Sequence, residues 1–251
     1  MPEALAWPVA LGVAGLIAGS FLATLVIRWP GGRSVVRGRS ACDACGKPLR
    51  WWELVPLLSA LASRGRCRGC GARIDPRHAL VEAACGLVGA VAGWVAPGVA
   101  GAGGAVFGWL LVALAALDVA ELWLPDALTA PLALAGVAMG LLGAEPPLVD
   151  RLVGGVAGYG VLALVAVGYR RWRGREGLGA GDPKLMGAIG LWLGWRVLPF
   201  VLLLASAAGL AAVLAARLAG RQVASDTPVP FGALLAAAAY PLWLVVVTVG
   251  V

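Results

Sequence analysis

Eight stretches of the 251-residue chain are apolar and nearly free of charge: 5–28, 79–96, 99–117, 127–144, 152–169, 185–195, 197–216 and 229–250. A helix needs about 20 residues to cross a ~30 Å hydrocarbon layer, and seven of the stretches come close to that length. The sixth, 185–195, is short and reads as a tilted, half-buried or re-entrant piece, so seven full crossings remain an alternative to eight. The one long polar interruption is 29–78. This pattern predicts an all-α polytopic membrane protein of about eight transmembrane helices. A first helix at 1–28 and a multi-helix membrane domain at 79–251 flank one small cytosolic insertion at 29–78.

Composition supports that class: 61% of residues are hydrophobic and 13% charged, against roughly a quarter charged in a soluble domain. Met1-Pro2-Glu3 lacks the positive start of a signal peptide, and the apolar run behind it is longer than a signal core, so the first helix is expected to be retained.

The positions of the basic residues set the orientation, because Lys and Arg accumulate on the cytoplasmic side. With the N-terminus outside, Arg28, Arg33, Arg37, Arg39, Lys47, Arg50, Arg64, Arg66, Arg68, Arg73 and Arg77 fall inside. So do Arg170, Arg171, Arg173, Arg175, Lys184, Arg217 and Arg221, which leaves only Arg151 and Arg196 of the 20 basic residues outside. Topology therefore explains the net charge of +7, and nucleic acid is not expected as a partner. Membrane lipid is. The expected location is a cell membrane, with the polar loop facing the cytoplasm.

Four of the five cysteines form two CxxC pairs, Cys42–Cys45 and Cys67–Cys70, each followed by a glycine, Gly46 or Gly71. Such a turn aims two thiolates at one point, and two of them complete a tetrahedral structural zinc site. A short Arg- and Gly-rich loop has too little apolar surface for its own core, and metal is a usual remedy. Disulfides or free thiols are the alternatives, and a reducing cytoplasm disfavours the former. The insertion is thus expected to be zinc-ribbon-like, with no ligand position open for catalysis. Cys85, alone in the second apolar stretch, reads as a small buried hydrophobe.

Acidic groups at membrane helices are costly and call for a reason. Asp118 ends an apolar run and has no Lys or Arg near it in sequence; Glu121 and Asp126 follow. A second place is Gly177-Leu178-Gly179-Ala180-Gly181-Asp182-Pro183-Lys184, 64 residues beyond Asp118 if counted to Asp182. Asp126 before Ala127 and Asp182 before Pro183 both read as helix N-caps, the preferred role for Asp126. The three glycines suggest a backbone that approaches something closely, such as a substrate strand. An aspartate dyad of Asp118 and Asp182 and an ion site in a transporter both fit these residues. His78 is the single histidine, so an HExxH zinc protease is excluded; an interfacial position suits it better than a catalytic triad. No GxGxxG follows a predicted strand.

Taken together, the motifs resemble the bacterial type IV prepilin peptidases, the leader peptidases with N-methyltransferase activity. The resemblance runs from about residue 15 to 235: Gly19-Ser20-Phe21-Leu22, Arg28-Trp29-Pro30, both CxxC pairs, Arg50-Trp51-Trp52-Glu53, Pro76-Arg77 with Leu80-Val81-Glu82, Asp118 with Leu124-Pro125-Asp126, Glu176 through Leu185, and Pro230-Phe231-Gly232.

It implies a GxGD-type membrane aspartic protease that removes the basic leader of prepilin or pseudopilin precursors after a glycine, at the cytoplasmic face. It also implies N-methylation of the new terminus from S-adenosylmethionine. The catalytic aspartates would be Asp118 and Asp182, supported by Gly179, Gly181, Lys184, Glu121 and Asp126, with zinc at the four paired cysteines. Where the family pattern carries Asn, this chain has Ala23 and Leu54, both in or beside the region associated with methylation. A peptidase without methyltransferase activity is therefore the first alternative; a cation-coupled transporter or a zinc-bearing scaffold follow.

Overall fold

The structure is a computed structural model that describes residues 2–35, 39–221 and 228–250. Arg37 lies outside the described residues. Helices dominate, and the only β pairing among the described residues is two isolated bridges. The eight apolar stretches correspond one for one to α1 (Pro2–Arg28), α3 (Pro76–Val95), α4 (Val99–Glu121), α5 (Asp126–Leu141), α6 (Leu148–Arg173), α7 (Gly181–Leu193), α8 (Leu198–Leu218) and α9 (Phe231–Val249). A short α2 (Leu58–Ala62) and a 3-10 turn (Trp51–Leu54) lie in the polar interruption. Among the described residues six helices, α1, α3, α4, α6, α8 and α9, are long and apolar enough to cross a membrane, which makes this a multi-pass membrane protein. The chain forms two compact units, residues 1–113 and 114–251, with the boundary inside α4.

In the first unit, α1 and α3 run antiparallel in close contact. A Cβ at Gly12 would meet Ala90, and one at Gly19 would meet Glu82 and Cys85, so descending α1 ascends α3. Small residues at such a seam let helix backbones approach where no water drives them together. The start of α3 follows from local chemistry: the Asp75 carboxylate accepts the Arg77 N–H at 2.9 Å, and Pro76 takes the first helical position. Cys85 is fully buried, as the hydrophobe reading expects, and its carbonyl accepts the Trp109 indole N–H at 2.9 Å.

In the second unit, α7 is the core. Ten of its thirteen residues are buried, against α5, α6 and α9. This is why the sixth apolar stretch can be short: it is enclosed by protein, so it need not match the bilayer. Gly194, at φ 71°, ends it. The outer helices α6 and α8 instead expose Val156, Leu164 and Leu210, the apolar faces expected against lipid.

Arg151, assigned by sequence only to the outer side, is one of the most buried side chains, 2% exposed. Its guanidinium donates to the carbonyls of Pro146 (2.8 Å), Gly136 (3.2 Å), Leu191 (3.0 Å), Ala144 (3.3 Å) and Glu145 (2.8 Å). It thereby ties α6 to carbonyls of α5, α7 and the α5–α6 loop, satisfying acceptors that have no water to turn to.

Candidate active site and metal centre

Asp118 sits in the last turn of α4 and Asp182 in the first turn of α7; they are 4% and 5% exposed. Both line one cavity of about 540 Å³, together with the loop Leu122–Pro125 and the Gly179–Gly181 turn.

Each carboxylate is held by backbone amides. Oδ2 of Asp118 accepts the Ala233 N–H at 2.8 Å, from the first turn of α9, where the helix dipole and unpaired amides favour an anion. Sequence reasoning missed this partner, which lies 115 residues away. The signal was present in Pro230-Phe231-Gly232, whose proline marks a helix start. Gly232 is required sterically: a Cβ there would stand 3.0 Å from Asp118 Oδ2 and 2.7 Å from Leu124 Cδ1.

Asp182 corrects its N-cap assignment. It is the second residue of α7 rather than the cap, and its Oδ2 reaches back to accept the Gly179 N–H at 2.9 Å. Asp126 also departs from its expected role. It begins α5 after Pro125 and, among the described residues, its carboxylate accepts no backbone N–H; both of its oxygens accept from Lys184 Nζ, at 2.7 and 2.9 Å. An ammonium arriving from 58 residues away outcompetes the local amides. Lys184 is therefore committed to Asp126 at the rim of the cavity. The glycines of the loop have internal reasons to be small: a side chain at Gly181 would strike Leu124 (2.6 Å from its Cβ), and one at Gly177 would strike the Tyr169 ring. Glu121, the last residue of α4, is exposed.

The four paired cysteines converge as the spacing predicts. Their Sγ atoms all lie within 4.8 Å of one another, with Cys42 and Cys70 at 4.0 Å. A tetrahedral zinc with ~2.3 Å bonds sets sulfur atoms about 3.8 Å apart, so the donor set fits the ion. The two knuckles are built alike. Gly46 N–H donates to Cys42 O and Gly71 N–H to Cys67 O, both at 2.9 Å, with φ of 70° and 72° at the glycines, a conformation side chains resist. The amides of Cys70 and Gly69 stabilise the Cys67 thiolate and lower its pKa to about 6.

Glu82, seen in sequence only as part of the family pattern, is a buried carboxylate (3% exposed) in the second turn of α3. It accepts the Leu57 N–H at 2.9 Å and lies 3.4 Å from His78 Nε2.

Two family patterns cover most of the chain in order. The bacterial peptidase A24 N-terminal domain matches residues 13–96, and the type IV leader peptidase family matches 105–214. A Klebsiella pneumoniae prepilin leader peptidase/N-methyltransferase is 42% identical over 80% of this chain and 92% of its own length.

The chain belongs to the type IV leader peptidase family.

A protein of the same name from Burkholderia pseudomallei is 45% identical over 79% of the chain, and one from Aeromonas hydrophila is 43% identical over 80%. The match spans 64% of the Burkholderia protein's length and 70% of the Aeromonas protein's. No solved structure matches the chain. Membership in this bacterial family, with six membrane-length helices, makes it a multi-pass protein of the bacterial inner membrane.

Proposed function

We propose that this protein cleaves the basic leader of prepilin-like precursors after a glycine, using Asp118 and Asp182 at the cytoplasmic membrane face. The observation that carries this is the convergence of two buried carboxylates on one cavity, each held by a backbone amide and neither salt-bridged to a cation among the described residues. A structural carboxylate buried in a membrane helix would be paired. The nearby cation, Lys184, is instead bound to Asp126.

Two facing carboxylates do not both ionise cheaply, so they share a proton. The ionised member takes a proton from a water molecule as that water attacks the scissile carbonyl. The protonated partner donates a hydrogen bond to the carbonyl oxygen and then delivers the proton to the leaving amine. No acyl-enzyme forms. The amides at Ala233 and Gly179 fix the two carboxyl groups, so little reorganisation is needed at the moment of reaction. Exposed Glu121 adds negative charge suited to a Lys- or Arg-bearing leader.

The reading includes N-methylation of the new terminus with S-adenosylmethionine as methyl donor, supported by the names of the relatives. Structural zinc at Cys42, Cys45, Cys67 and Cys70 would hold the two knuckles together, and the closed thiolate set leaves it no part in catalysis. Incubation with a prepilin and S-adenosylmethionine, followed by mass measurement of the product N-terminus, tests both activities. Cleavage without the added mass of a methyl group would leave a peptidase alone, the alternative that Ala23 and Leu54 raise.

A further inference from the structure

The first unit holds a larger cavity, about 780 Å³, which the proteolytic mechanism does not use. It lies where the polar insertion meets the end of α1 and the start of α3. Its walls carry Arg28, Arg33, Arg66, Arg68, Arg73 and Arg77 against only three carboxylates, Asp43, Glu53 and Asp75. Those carboxylates are already engaged. Asp43 pairs with Arg28 at 3.1 Å and Arg33 at 2.7 Å, Asp75 pairs with Arg77 at 2.7 Å, and Glu53 accepts the Arg50 N–H at 2.9 Å. Among the described residues Arg66, Arg68 and Arg73 make no salt bridge, and six arginines outweigh the three carboxylates even when the two negative charges of a zinc tetrathiolate at Cys42 and Cys67 are set against them. An anion is its natural occupant.

The depth of the cavity identifies the kind of anion. Arg28 is the last residue of α1, and Asp75 and Arg77 stand at the first turn of α3. Because these membrane helices are antiparallel, both ends lie on one side, at the level of lipid headgroups. The wall that Trp52, Glu53, Val55, Leu58, Ser59 and Ala62 form is tied to that level by the neighbouring Leu57 N–H, which donates to buried Glu82. Trp52 and Leu58 of this wall are 40% and 65% exposed, and Trp51 and Leu61 beside them 75% and 78%, an exposed apolar edge. Tryptophan and leucine at the mouth of an arginine-lined cavity match the boundary between acyl chains and phosphate, where aromatic rings and basic side chains settle.

We infer that this cavity binds the headgroup of an anionic glycerophospholipid, its phosphate against Arg66, Arg68 and Arg73 and its acyl chains along Trp51, Leu58 and Leu61. Basic pockets beside membrane helices recognise lipid phosphates through such charge complementarity. The lipid would fill the gap between the insertion and the bilayer and hold residues 51–62 on the membrane surface.

The test uses the full chain in nonionic detergent, with native mass spectrometry as readout. It is titrated separately with short-chain phosphatidylglycerol, short-chain phosphatidylcholine and glycerol 3-phosphate. The expected result is one saturable phosphatidylglycerol per chain, with the other two ligands binding at least about tenfold more weakly. Arg68→Gln/Arg73→Gln should weaken phosphatidylglycerol about thirtyfold, roughly fivefold per arginine. Arg170→Gln/Arg171→Gln, which removes equal charge from the last turn of α6, should leave it unchanged. Phosphatidylglycerol binding that survives Arg68→Gln/Arg73→Gln, or that falls equally in the α6 variant, overturns the assignment. So does equally tight glycerol 3-phosphate, which would make this a site for a free phosphate. If the arginine variant fails to fold, the surface change Trp51→Ala/Leu61→Ala decides: wild-type affinity for phosphatidylglycerol there contradicts the lipid's placement.

Discussion

Replacing Gly232 with alanine puts a methyl group 3.0 Å from Asp118 Oδ2 and 2.7 Å from Leu124 Cδ1. Ordinary carbon contacts begin near 3.5 Å, so the carboxylate must retreat by roughly half an ångström, while the tip of Leu124 can rotate away cheaply. Retreat lengthens the 2.8 Å bond from Ala233 N–H, a charge-assisted contact of about 1.5–3 kcal/mol, and moves Asp118 relative to Asp182. A misplacement of 1 Å costs about a hundredfold in rate, so half of it predicts about a tenfold fall in kcat for prepilin cleavage. Stability should move the other way or not at all, because alanine is favoured over glycine in a helix by up to ~1 kcal/mol. Single-turnover cleavage of a purified prepilin, run beside a melting curve in the same detergent, separates the two effects. A folded Gly232→Ala protein that cleaves within twofold of wild type would show that the α9 contact does not position Asp118.

The contrasting glycine is Gly190, where a Cβ would overlap the Gly154 carbonyl of α6, and backbone cannot rotate away; Gly190→Ala should cost about 1–3 kcal/mol or more, read as a lower melting temperature. Asp126→Asn and Lys184→Gln each break one exposed ion pair, worth ~0.2–1 kcal/mol, so both should keep cleavage within a few fold of wild type. Zinc should be stoichiometric in wild type by metal analysis and absent after Cys67→Ser/Cys70→Ser. In chelator-treated protein at pH 7, Cys67 should be the first cysteine alkylated, because thiolate is the reactive form and this one forms above about pH 6; below that pH its rate should fall about tenfold per unit.

Helices were readable from the sequence because lipid demands a continuous apolar run, and each of the eight stretches became one helix. Their ends were less readable. Charged residues such as Asp118, Glu121, Arg170 and Arg171 were placed beyond the apolar runs, yet the backbone continues helical through them until Gly174 closes α6. The cysteine knuckles were legible in full, since their geometry is set by spacing and glycine over a few residues. What sequence could not supply was long-range partnership. Asp126 looked like a cap until Lys184 arrived from another helix, Asp118 looked unaccompanied until the α9 amides reached it, and Arg151 looked like an outer-face charge although it is buried among carbonyls. Local propensity cannot anticipate a competitor brought in by packing.

The most direct test is cleavage of a purified prepilin by Asp118→Asn and Asp182→Asn proteins, each shown to be folded by its melting curve, with product followed by mass spectrometry. An amide can neither take water's proton nor alternate between protonation states, so each variant should lose about 10⁴-fold or more, and the double variant should be no worse than either single one. Cleavage near the wild-type rate by either folded single variant, free of other proteases, would remove these two residues from the chemistry.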